Sequence, residues 1–193
     1  MATANKTKSD AAFDFTTLEA TIIRACHAAF DDVARTHPNE TVCAFALYSD
    51  EDAMTVCPSF DLASRRDARL AKKAENVDDV DCYTFETAEW ALEAFGAREA
   101  FRDICTTVRT HVMQLDDADA ASFKAQLFET CIRTLERLRA EGAFDAYPGL
   151  LLRFTVSDTD VEAEDEVALM ERLNGASPYV EQYRRWMERW ADD

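Results

Sequence analysis

Residues 42–48 are all apolar, and alternation sets Val42, Ala44, Ala46 and Tyr48 on one side of an extended chain, with Cys43, Phe45 and Leu47 on the other. A strand that is apolar on both sides belongs at the centre of a sheet covered on both faces. Ser49-Asp50-Glu51-Asp52 interrupts the run with side chains that bond their own backbone, which predicts a turn. Residues 53–57 are predicted to return beside the first strand, and Pro58, lacking a ladder N–H, to end that second strand.

Helical spacing takes over on either side. Leu18, Ile22, Cys26, Ala29, Phe30 and Val33 share one face of a helix that Thr16 and Glu19 open at capping-box spacing and that stops near Thr36, before Pro38. A shorter helix, capped by Ser59 or Asp61, is predicted to run to about residue 75. Arg65, Arg69, Lys72 and Lys73 lie on its outer side as a solvated stripe balancing nearby carboxylates. A third strand is predicted over residues 82–85, and residues 86–96 fit either a short helix capped by Thr87 or an extended segment as far as Trp90.

Phe101, Ile104, Cys105, Val108, Val112 and Leu115 mark a further helix, and Phe123, Leu127, Cys131, Leu135 and Leu138 mark the next. The short break between them implies a long antiparallel helix hairpin, closed by Gly142 as a left-handed cap. Residues 150–156 read as a fourth strand with Leu150, Leu152, Phe154 and Val156 on one face. After a short helix around residues 167–173, Ser177-Pro178 opens a last one, whose stripe of Tyr179, Tyr183, Trp186 and Trp190 is expected to dock on the body. The predicted class is α+β, an antiparallel sheet of about four strands covered by helices, forming one domain over residues 13–193 behind a patternless mobile tail at 1–12.

Charge narrows the functions open to such a domain. Lys and Arg number 21 against 38 Asp and Glu, a formal charge of -17, which repels nucleic-acid phosphates and anionic membranes and favours a basic protein as partner. The six cysteines form no CxxC and no zinc-type spacing with the three histidines, so they read as reduced core residues, with no metal or cofactor expected. With no signal-peptide core and no long apolar run, a cytoplasmic protein is expected. Four isolated glycines exclude a phosphate-cradling loop, and HExxH and GxSxG are absent.

The acids themselves are the remaining candidates. Asp158, Asp160 and Glu162 begin like a calcium loop, but Ala163 and Leu169 stand where an EF-hand needs glycine and glutamate. Asp50, Glu51 and Asp52 with Asp158, Asp160 and Glu162, joined by residues 78–81, are therefore read as an acidic partner-binding surface on loops at strand ends.

The strand VCAFALYSD, the segment TVCP, the Glu89-Trp90 pair ahead of a long helix and the late LLLRFTVSD stand in an order that resembles the bacterial domain-of-unknown-function family 4303, over residues 13–175. The resemblance implies the same α+β arrangement and supplies no catalytic residues, so none is assigned. Related small α+β families are associated with bacterial toxin–immunity loci. By that analogy the expected role is a protein-binding module of the immunity type that neutralises a basic partner. The competing expectation is an enzyme working through Asp and Glu, with or without a divalent metal.

Overall fold

The computed structural model describes residues 12–157 and 162–191, so residues 1–11 of the tail expected at 1–12 and the candidate residues Asp158 and Asp160 lie outside the described residues. The elements run α1 (Phe15–Thr36), β1 (Val42–Asp50), β2 (Cys57–Leu62), α2 (Ala63–Lys73), α3 (Val77–Phe85), a 3-10 turn at Thr87–Glu89, β3 (Leu92–Glu93), α4 (Arg98–Val112), α5 (Asp117–Ala140), β4 (Leu151–Ser157), α6 (Ala163–Asn174) and α7 (Pro178–Ala191). The four strands form one sheet in the order β3-β2-β1-β4, with β1 inside as its two apolar faces require.

The sheet is mixed, which corrects the antiparallel expectation. β2 runs antiparallel to β1, with Phe45 opposite Phe60, but β4 runs parallel to β1, with Tyr48 opposite Thr155 and Asp50 opposite Ser157. A short turn forces antiparallel pairing, whereas β4 is reached only after a long helical connection that lets the chain re-enter in the direction of β1.

Alternation along β1 sorts its side chains onto two cores. Phe45 and Leu47 pack with Phe60, Leu152 and Phe154 beneath α1, α4 and α5, while Ala44 and Ala46 face Phe85, Trp90, Met170, Tyr183 and Trp186. The small side of β1 leaves room for the large aromatics of α7. A register shift between Val42 and Ala44 then moves Val42 onto the Phe45 side, so strict alternation fails at the start of the strand.

Several boundaries differ from the sequence reading for local reasons. Asp14, not Thr16, caps α1, its carboxylate accepting from the Thr17 N–H at 2.9 Å. β2 begins at Cys57 and contains Pro58, because the Asp50 carboxylate accepts from the Met54 N–H (2.8 Å) and the Thr55 hydroxyl and so holds residues 51–56 in a wider turn. β3 reaches only Ser59 and Phe60, so on that side Pro58 faces no ladder. The expected third strand is the end of α3. Asn76 caps that helix through the Asp79 N–H at 2.9 Å, and Asp78 and Asp79 occupy its first turn, where carboxylates favour a helix N-terminus.

α4 and α5 do not lie along one another as the expected hairpin: each packs chiefly on α1, and they approach through His111 and Phe123, whose rings are 5.0 Å apart. α7 starts at Pro178 as expected and buries Tyr183 and Trp186, leaving Trp190 exposed. At the other edge of the sheet Asn174 stands in for a neighbouring strand. Its amide accepts from the Leu152 N–H (2.8 Å) and donates to the Leu152 carbonyl (2.9 Å), closing part of the free edge of β4.

The approach to α4 rests on a close backbone contact. Gly96 has φ +86, and a Cβ there would lie 2.8 Å from Ala29 Cα, while the next N–H, of Ala97, donates to Asp32 at 2.8 Å. Gly96→Ala is expected to cost about 2–4 kcal/mol in urea denaturation, combining left-handed strain with a clash against the α1 backbone. A cost near zero would mean that this junction stands off α1.

Candidate binding site at the carboxyl ends of β1 and β4

Because β1 and β4 are parallel, their carboxyl ends and the connections that leave them lie at one end of the sheet. A cleft of about 340 Å³ opens there, lined among others by Tyr48 of β1, Thr155 and Ser157 of β4, Glu86 ahead of the 3-10 turn, Thr87 within it, and Glu93 of β3. Thr87 and Thr155 share a hydroxyl–hydroxyl hydrogen bond of 3.2 Å across its floor, tying the 3-10 turn to β4. Glu86 and Glu93 are exposed, and among the described residues every charged side chain of the lining is acidic. The cleft therefore presents carboxylates, hydroxyls and one aromatic ring to an incoming group.

The predicted acids among the described residues fall into three groups. Glu51 and Asp52 are exposed in the turn that follows β1, and Glu162 is exposed at the start of α6. Asp50 is half-buried, with both carboxylate oxygens engaged by its own turn, so it shapes the loop instead of offering charge. Residues 78–81 are taken up elsewhere. Arg189 of α7 bonds Asp78 at 2.7 Å and also pairs with Asp81, which in turn accepts from Gln182 at 2.7 Å.

A larger groove of about 780 Å³ lies near the start of β4, lined among others by Arg139, Asp145 and Tyr147. Its arginine donates to the Leu150 carbonyl at 3.1 Å, and burial lowers its pKa. That groove thus lacks the single sign of charge found at the opposite end.

Two buried ionic groups support the sheet behind the cleft, and neither was visible in the sequence pattern. Asp61, expected as a helix cap, lies in β2 with no exposure. It accepts from Arg69 at 2.7 Å and from the Ala91 N–H at 3.2 Å, while Arg69 also donates to the Tyr83 carbonyl at 2.9 Å. Arg69 is thus turned inward, unlike the rest of its basic stripe, of which Arg65 lies 3.7 Å from Glu40 and Lys73 3.9 Å from Glu89. On β4, buried Arg153 donates to Glu166 at 3.1 Å, and the Tyr183 hydroxyl donates to the same carboxylate at 2.7 Å.

The cysteines also depart from expectation. All six are free, but only Cys26 and Cys131 are buried, the other four being half-buried. The interaction between the Cys57 and Cys105 thiols holds the Cys105 thiol below its ordinary pKa and raises that of Cys57. Among the described residues no group of three or more His, Cys, Asp or Glu side chains is placed to hold a metal ion, and no helix is long and apolar enough to cross a membrane.

These features define a helix-covered α+β domain with an acidic cleft at the end of a mixed sheet. Residues 22–175 match the model of the family described as a domain of unknown function (DUF4303), and the chain belongs to that family. No curated protein and no solved structure matches it.

Proposed function

We propose that the protein is a binding module that receives a basic partner protein at the acidic end of its sheet, in the manner of an immunity protein that neutralises its target. The observation that carries this reading is the lining of the strand-end cleft, where Glu86 and Glu93 are the only charged groups among the described residues. A lysine or arginine side chain entering it meets carboxylates, the threonine hydroxyls and the face of Tyr48. Glu51, Asp52 and Glu162, exposed on the connections nearby, extend the same sign of charge and favour fast encounter with a cationic surface. Rigid strands position these loops, and the loops stay free to make contact.

The test is affinity capture from the native cell at low and at high ionic strength, repeated with Glu86→Lys and Glu93→Lys together. A basic partner is expected to bind about tenfold or more weakly to the charge-reversed protein and to be released as salt rises, since exposed charges are screened beyond about 10 Å at 0.1 M salt. A partner whose affinity ignores both salt and these substitutions would remove the cleft from the binding surface.

A further inference from the structure

Cys105 of α4 reaches across to the residue that precedes β2. Its sulfur accepts from the Val56 N–H at 3.4 Å and, when protonated, donates to the Val56 carbonyl at 3.3 Å, which places it beside Cys57. Tyr48 stands opposite Cys57 in the β1–β2 register, and the Cys57 and Cys105 thiols interact closely enough for each to shift the other's pKa. The Val56 N–H donor at the Cys105 sulfur favours a thiolate there, as do the adjoining Cys57 thiol and the positive charge of Arg109, which Asp50 opposes.

The other four cysteines lack this combination. Burial pushes the thiols of Cys26 and Cys131 far up, and it also raises those of Cys43 and Cys82. Cys57 and Cys105 are both half-buried. Thiolate character, partial exposure and an adjacent second thiol are the features of a redox-responsive cysteine pair.

We propose that Cys57 and Cys105 are a redox-active dithiol that reacts with hydrogen peroxide, Cys105 as the attacking thiol and Cys57 as the resolving one. The Cys105 thiolate attacks a peroxide oxygen, forming an S–O bond as the O–O bond breaks, and the departing hydroxide takes a proton to become water. Cys57 then attacks the sulfenic sulfur of Cys105. The S–S bond forms, the S–O bond breaks, and the second hydroxide leaves as water with the proton of Cys57. Two thiols lose two electrons, and the peroxide gains them. The disulfide joins the start of β2 to α4, with Cys57 directly opposite Tyr48 of the acidic cleft, yet the chemistry does not depend on what the cleft binds.

The experiment uses the full chain, reduced, freed of reductant and treated with a small excess of hydrogen peroxide. Thiol titration in denaturant is expected to fall from six to four, and non-reducing digestion to link the peptide carrying Cys105 to the one carrying Cys57. Cys57→Ser is expected to abolish the link and leave a sulfenic acid on Cys105 that dimedone captures. Cys105→Ser is expected to abolish both the link and the label. Six thiols after peroxide, a link between any other cysteines, or loss of thiols at an unchanged rate in Cys105→Ser overturns the proposal, and the first two readings need no variant to fold.

Discussion

Phe45→Ala is expected to lower the folding free energy by about 3–5 kcal/mol, the usual range for truncating a buried aromatic side chain. Phe45 has no exposed surface and stands where three elements meet. Its ring centroid lies 4.8 Å from Phe60 on β2, 4.8 Å from Phe30 on α1 and 6.0 Å from Phe144 after α5. Central strand, neighbouring strand and covering helices all lose packing together, so local relaxation fills little of the space. Against a typical margin of about 5–15 kcal/mol, such a loss is visible as a large drop in the urea midpoint. A change below about 1 kcal/mol is the size expected of a surface position and would contradict this packing.

The second large effect is expected at the buried pair Asp61–Arg69. Removing the carboxylate with Asp61→Ala leaves an arginine that is only 10% exposed without its counter-ion, and breaking a buried pair in this way costs about 3–5 kcal/mol. The same change strips the Ala91 N–H of its acceptor at the entry to β3. Asp61→Leu combined with Arg69→Met is expected to cost less than Asp61→Ala alone, because no charge is then stranded. It does not return to the starting stability, since Ala91 N–H and the Tyr83 carbonyl still lose their partners, at about 1–3 kcal/mol each where they stay dry. Urea denaturation of the single and double variants checks both statements. A double variant worse than the single one would show that packing, not charge pairing, dominates at this position.

These two sites also show where sequence reasoning reaches and where it stops. Phe45 was legible because an uninterrupted apolar strand requires cover on both faces, whatever supplies it. Asp61 was not. An aspartate after a proline and a serine has the local chemistry of a helix cap, and only the inward turn of Arg69, one face along α2, makes a strand position tolerable for it. The acidic run at residues 78–81 misled in the same way: next to Asn76 it is the favourable first turn of a helix, and Arg189, far along the chain, then neutralises it.

The sequence by itself determined β1, the apolar faces of α1, α5 and β4, the proline start of α7 and the left-handed closure of α5 at Gly142, where φ is +77. All of these follow from the spacing of apolar residues or from the backbone limits of proline and glycine, properties carried by a few adjacent positions. Tertiary structure alone decided that β4 lies parallel to β1, that Glu86 and Glu93 share a cleft, and that Cys57 meets Cys105. Side-chain periodicity records which face of a segment is buried and nothing about which segment buries it. Strand direction, cleft and thiol pair therefore depend on contacts between distant positions, which only the packing of the whole chain brings together.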